Sequence, residues 1–408
     1  MTPSRQPQPH RRRHLAAALL SVLMCAAAAT SASARTFYVT SHGRTHAACT
    51  HRKPCRTLAQ AFSHARAGDS IVVGRGLYRG QVRITRPIRL IGAGNPVIDA
   101  TGAANGVLIT GGGAGGAVVR GFTVRNATFE GILATNTAGI TISRNTVVSN
   151  DRGLSAPTPE GECAPQGVIP GDCGEGIHLT GVTGSRVVEN FVRGNAGGIL
   201  LTDEKGPTAH NTVKGNRVLR NLLDCGITLA GHNPKAVILS TAPGPPTMSG
   251  LAPTAGGVYS NLVAGNAAIE NGTKGQGGGI LLASGPPGTG VYNNTVTNNV
   301  AEGNGLAGIT LHSHAPGQDL SGNVITHNIL SNNGVAGNPG GAPGDSDAGV
   351  KQTVDILLWS AVTPLSATQV AGNQLSNAYY GIWTKNVPRI ARNANTFAKT
   401  VTVPLTQG

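Results

Sequence analysis

His178, Glu204, Lys205 and His232 bring together the side-chain types that move a proton to or from a sugar carbon. Each lies in or just beyond a short pattern, Gly-apolar-x-apolar. The pattern starts at Gly131, Gly176, Gly198, Gly226, Gly279 and Gly308, and Asp355 and Gly381 continue it. If the apolar pair points inward along a strand, the residue between them and alternate ones after it share the outer, solvent-facing side. Copy by copy, that column reads Glu175, His178 and Thr180; then Thr202, Asp203, Glu204 and Lys205; then Asp224, Thr228 and His232. A plain copy at Leu281–Ser284 follows, then His312 and His314, then Trp359, and finally Trp383 with Lys385. Neighbouring copies about 5 Å apart would let His178, Glu204 and His232 converge, with His312 about 10 Å beyond His232.

Two chemistries fit this set. In β-elimination from a uronide, a base takes the C5 proton while a cation neutralises the carboxylate. Lys205, His178 and His232 are the base candidates, and Asp203 and Glu204 could hold Ca²⁺. A hydrolase would instead use two carboxylates, Glu204 with Glu175 or Asp224. Asp203, His312, His314, Trp359, Trp383 and Lys385 are then candidates for holding substrate, the two Trp by stacking on sugar faces. The plain alternative is that these are solvated positions, that Glu175 and Asp224 shape turns, and that the Trp cover the last copies.

What must position such a column is a repeat. Asn-x-apolar-x-x-Asn recurs at Asn145–Asn150, Asn190–Asn195, Asn211–Asn216, Asn261–Asn266, Asn294–Asn299 and Asn323–Asn328, with a worn copy from Asn373. Units this small cannot bury an apolar face alone and must stack on one another. Short alternating strands, Asn/Gly corners and no helical period predict a parallel β-helix, with Val, Ile and Leu inside and Asn in left-handed corner positions bonding between rungs. Composition agrees. The 408 residues include 59 Gly but only six Phe, six Tyr and two Trp, against a coiled coil or helical bundle. A 39% hydrophobic content argues against disorder.

The chain begins with a basic segment, Arg11 to Arg13, an apolar run from Leu15 to Ala29, and Ala32-Ser33-Ala34. This is the layout of a cleaved export signal over residues 1–34. Met24 before Cys25 is a poor lipidation site, so free secretion is expected. No membrane span is expected either. Removing the four Arg of this segment takes the formal charge from +14 to +10. The charges are scattered, without stacking aromatics, so no nucleic acid is expected as a partner. An acidic polysaccharide or a cell-envelope glycan fits better. Cys49 with Cys55 and Cys163 with Cys173 are expected to pair as local disulfides, leaving Cys225 as a buried thiol. Three long insertions, 154–174, 233–255 and 334–353, are expected to wall the column.

On these residues the chain resembles the right-handed parallel β-helix (pectate-lyase-like) superfamily, the repeats covering about Gly106 to Asn386. The segment Phe37-Tyr38-Val39, Pro54 to Ala61, Ala67 to Val73 and Gly76-Leu77-Tyr78 resembles the amino-terminal module of many secreted members. The expected organisation is a cap with the first rungs over 35–105, the helix over 106–390 and a tail over 391–408. Leu58–Ala65 should form a short capping helix, and Ile71–Val73, Val82–Ile84 and Ile88–Ile91 strands. The resemblance implies a monomeric carbohydrate-active protein, a lyase, hydrolase or epimerase. The Asp-Asp and Tyr-Gly-x-Asp-Pro-His signatures of known enzyme families are missing, so the reaction does not follow from the fold. A non-catalytic glycan-binding solenoid is the second reading. A third is an accessory protein for a copper site, with His178, His232, His312 and His314 as ligands, against which the scarcity of Met counts.

Overall fold

A computed structural model describes residues 33–151, 174–232, 256–274, 277–285, 287–335, 349–362 and 364–407. Residues 1–32, the Cys163/Cys173 pair and most of the three insertions lie outside the described residues. The chain coils as a right-handed parallel β-helix with three long parallel sheets. One rung reads Arg186–Val188, Phe191–Arg193 and Ile199–Thr202; the next reads Thr212–Lys214, Arg217–Leu219 and Ile227–Gly231. Strands stack in register, Val187 on Val213, Val192 on Val218 and Leu201 on Leu229. Like therefore sits on like, and the interior is a set of aliphatic columns closed to solvent. Few rings enter this core; Phe122 is fully buried in it.

The amino-terminal edge is formed as expected. A helix, Leu58–His64, starts at Thr57, whose hydroxyl accepts the Gln60 N–H, and buries Ala61. Strands follow at Ser70–Val73, Val82–Ile84 and Arg89–Gly92, preceded by a longer one at Thr36–Arg44. Cys49 and Cys55 are joined by a disulfide, and Cys225 is a buried free thiol. At the other edge, Thr396–Phe397 and Val403–Leu405 pair with the last full rung.

Three stacks of buried polar side chains run along the corners. In the first, Asn145, Asn190, Asn216, Asn266, Asn299, Asn328, Asn373 and Asn395 succeed one another. Each Oδ1 accepts both the backbone N–H and the Nδ2–H of the preceding Asn, at 2.9–3.1 Å. A second stack runs from Asn150 through Asn195, Asn221, Asn271 and Asn304 to Asn333, and ends on Asp355. The third begins at Ser185 and continues through Asn211, Asn261, Asn294 and Asn323.

Two details differ from the sequence-based expectation. The Asn-x-apolar-x-x-Asn motif is not one element. At Asn145 and Asn190 it flanks strands of one sheet, Thr146–Val148 and Phe191–Arg193. From Asn211 to Asn323 it flanks strands of another, such as Thr212–Lys214 and Leu262–Ala264, and the worn copy at Asn373 returns to the first, at Gln374–Ser376. Corners five residues apart, as at Asn211, Asn216 and Asn221, make the motif overlap itself. Nor do the stacked Asn hold the left-handed backbone. The residue before them does: Arg144, Glu189, His210 and Arg220 have φ of 53°, 57°, 58° and 52°. That residue turns the chain, and the Asn after it points inward to bond.

The Gly of Gly-apolar-x-apolar serves close approach rather than turning. A Cβ at Gly279 would lie 2.4 Å from the Gly308 carbonyl oxygen and 2.9 Å from Asn304 Nδ2. Gly279→Ala should therefore push two rungs apart and cost about 2–3 kcal/mol, read as a lower thermal midpoint. A midpoint equal to the parent's would show that the rungs are not packed this closely.

Candidate functional site

The strands beginning at these Gly form one sheet, and its register defines two outer columns. The first runs Leu133, His178, Leu200, Thr228, Leu281, Thr310, Leu357 and Trp383. The second runs Thr135, Thr180, Thr202, Ala230, Ala283, His312, Trp359 and Lys385. Solvent was expected on this face, and the structure corrects that. Ile199–Thr202, Ile227–Gly231 and Val354–Ser360 are buried at every position, on both sides of the sheet. His178 and His232 are only 5% and 2% exposed. Alternation gives the direction of a side chain, and here the outward-pointing groups bond and pack against one another instead of against water.

Five of these groups form one hydrogen-bonded chain. His178 Nδ1 lies 3.3 Å from Glu130 Oε1, and its Nε2 lies 2.9 Å from Thr202 Oγ1. Thr202 donates its hydroxyl proton to Glu204 Oε2. The other oxygen of Glu204 lies 2.8 Å from His232 Nδ1. Thr180 also donates to Glu204 Oε2, at 2.9 Å, and accepts the Lys205 N–H at 3.3 Å. The structure thus links His178, Glu204 and His232 through Thr202.

Protonation follows from the donors. Burial alone would raise the Glu204 pKa, but the bond from His232, the charges of His178 and His232 and the Thr202 hydroxyl outweigh it and hold Glu204 at about 2. An ionised carboxylate only accepts, so His232 Nδ1 carries a proton directed at Glu204. The Thr202 hydroxyl spends its one proton on Glu204, so its oxygen accepts from His178, which is protonated on Nε2.

Asp203 has another task. Its two oxygens accept the backbone N–H groups of His232 (2.6 Å) and Gly257 (2.5 Å), tying together the residues that flank insertion 233–255. Burial, only partly offset by those bonds, lifts its carboxyl to about 6. Both oxygens are turned to amide donors, an arrangement unlike the Ca²⁺ pair expected with Glu204. Lys205 is exposed at the strand's end. Asp224 Oδ1 accepts the adjacent Cys225 N–H at 2.6 Å.

The distal candidates form a separate group. His312 and His314 are half-buried, with ring centroids 4.5 Å apart, and each meets Trp359 edge-on at 6.1 and 5.1 Å. Trp359 belongs to an outer apolar cluster with Ala307, Val350, Val354 and Leu357, against which Tyr380 and Trp383 pack. Lys385 is exposed. Sequence reasoning missed Glu130 and Thr202 as partners. The signal for Glu130 was present: Glu130-Gly131-Ile132 repeats Glu175-Gly176-Ile177. The ligating atoms of Glu130, Glu175 and His178 lie within 4.8 Å of one another. No described helix is long and apolar enough to cross a membrane.

A family model described as "Periplasmic copper-binding protein (NosD)" matches residues 67–239, less than half of the chain. No curated protein matches. Among solved structures, the tailspike protein of E. coli bacteriophage HK620, one form of it in complex with a hexasaccharide, is similar at TM-scores of 0.51 and 0.52. Identity is 12–13%, over 82% of this chain and 55% of the tailspike. An alginate lyase from Paenibacillus sp. is 14% identical over 92% of this chain and 98% of that one, with a TM-score of 0.47. The likeness to the tailspike protein supports the β-helix fold.

Proposed function

We propose that this chain is a secreted carbohydrate-active enzyme that abstracts the C5 proton of a uronic-acid unit in an acidic or complex polysaccharide. The observation that carries it is the Glu204–His232 pair, 2.8 Å apart, in which a carboxylate ionised near neutrality orients the imidazole through Nδ1; Nε2 is the proposed proton acceptor. In the elimination, Nε2 of His232 takes the C5 proton and Lys205 neutralises the uronate carboxylate. The C4–O bond then breaks as the C4–C5 double bond forms, and the departing oxygen takes a proton from water. Delivery of a proton from water to the opposite face of C5, with the C4–O bond intact, would instead give an epimerase. His178 and Thr202 are positioning residues that keep Glu204 in place. A hydrolase with Glu204 as acid is disfavoured, since a carboxyl at about 2 holds no proton near neutrality.

The glycan as substrate class is supported by the basic charge of the chain and by analogy of fold with the hexasaccharide-bound tailspike. The burial of His178 and His232 favours a second reading, a network that only stiffens a glycan-binding face. Incubating the mature chain with a panel of uronic-acid polysaccharides, with and without Ca²⁺, separates the two. The expected result is new ultraviolet absorbance from the unsaturated product, or a changed uronate configuration by NMR. New reducing ends without absorbance would mean a hydrolase, and binding with none of these signals would leave the second reading.

A further inference from the structure

We infer that Glu130, Glu175 and His178 form a binding site for one divalent metal ion of borderline hardness, Zn²⁺ or Mn²⁺. All three side chains are buried, and their ligating atoms lie within 4.8 Å of one another. His178 Nδ1 and Glu130 Oε1 are 3.3 Å apart. Two tetrahedral donors each about 2.1 Å from one ion would be about 3.4 Å apart.

The orientation of His178 carries the inference further. Its Nε2–H is committed to Thr202, whose own proton goes to Glu204. The nitrogen facing the two carboxylates is therefore Nδ1, the one from which a bound metal ion would displace any proton. A ligating imidazole whose other N–H is held by an acceptor is the usual outer-shell arrangement of a metal-binding His.

The scaffold is built to hold them so. Glu130 and Glu175 occupy the same position on consecutive rungs, the Gly131 N–H bonding the Glu175 carbonyl at 3.0 Å. On the next rung that position is Gly197, where a Cβ would stand 3.1 Å from Glu175 Oε1. One rung before Glu130, the same position is Asn105, buried, with an Oδ1 that has no hydrogen-bond partner. That is a buried neutral oxygen one rung from Glu130. One imidazole with carboxylates suits Zn²⁺ or Mn²⁺, whereas Ca²⁺ takes six to eight oxygens.

Binding can be measured without any glycan, so this site stands or falls apart from the proposed reaction. The mature chain, stripped with a chelator and desalted, is titrated calorimetrically with Zn²⁺, Mn²⁺ and Ca²⁺ in separate runs. One equivalent of Zn²⁺ or Mn²⁺ should bind, Ca²⁺ more weakly, and the bound ion should raise the thermal midpoint. Glu175→Gln and His178→Ala should each weaken that binding at least about 100-fold and abolish the rise. If His178→Ala does not fold, the near-isosteric Glu130→Gln and Glu175→Gln decide. Failure of the parent to bind Zn²⁺ or Mn²⁺, or parent-like binding by both Gln variants, overturns the site.

Discussion

Replacing His232 by Ala should lower turnover of the responsive uronide about 10²–10⁴-fold while the thermal midpoint stays near the parent's. The imidazole is the proposed base. Its removal leaves Glu204 with the Thr180 and Thr202 hydroxyls as donors, so the strand ends should hold. Glu204→Gln tests the orientation separately. An amide still accepts from Nδ1, but it carries no charge to favour the imidazolium formed as the proton is taken. Turnover should fall with little change in KM, because Glu204 acts on His232 and not on substrate. His178→Ala should also reduce activity, by loosening Thr202 and hence Glu204. Full activity in both His178→Ala and His232→Ala would place the reaction elsewhere.

The same carboxylates set the pH response. Glu204 lies well below its ordinary 4.5, so the stability it contributes is complete above about 4.5 and is lost as pH falls towards 2. Protonation of Glu204 therefore cannot cause an acid limb of activity between pH 4 and 6. Asp203 works in the opposite sense. Its pKa is raised from 3.8 to about 6, so what it contributes is complete below about 4 and is lost as pH rises through 6.

The second large effect concerns the corners. Asn266→Ala should destabilise the solenoid by about 3–5 kcal/mol, seen as a lowered thermal or urea midpoint. Asn266 Oδ1 accepts the N–H and Nδ2–H of Asn216, and its Nδ2 donates to Val213 O and Asn299 Oδ1, each at 2.9 Å. Truncation leaves all four buried groups short of a partner. Asn266→Asp should be worse near pH 7, because the carboxylate cannot donate and is set against the Asn299 oxygen. It should recover in part as pH falls and the acid gains a proton. The chain shows where an Asp is tolerated: Asp355 ends its stack, accepting Asn333 Nδ2 on one oxygen and the Ser376 N–H on the other. Even there, burial lifts its pKa to about 7. An Asn266→Ala chain as stable as the parent would mean that the stacks are not what holds the corners.

Much of the fold was legible before any coordinates. The Gly-apolar-x-apolar copies all lie on one sheet, and the capping helix and the early strands fall within a residue or two of their expected ends. Less of the site was legible. His178, Glu204 and His232 were expected to converge, and they do so through a threonine that composition does not single out. Glu130 lies 48 residues before the His178 it meets, across insertion 154–174.

What the sequence alone determined, then, was the rung. Small residues, alternating aliphatics and recurrent Asn permit few structures other than stacked coils, because each unit must bury its apolar side on its neighbour. Which residue meets which was decided only by the tertiary structure. Successive members of one Asn stack are 45, 26, 50, 33, 29, 45 and 22 residues apart. Backbone hydrogen bonding holds every rung at the same spacing, about 4.8 Å, however long the intervening loop. Sequence distance therefore says nothing of neighbourhood. For the same reason an outward strand position fixes a side chain's direction but not its exposure, and the histidines and acids expected in water are instead bonded to one another.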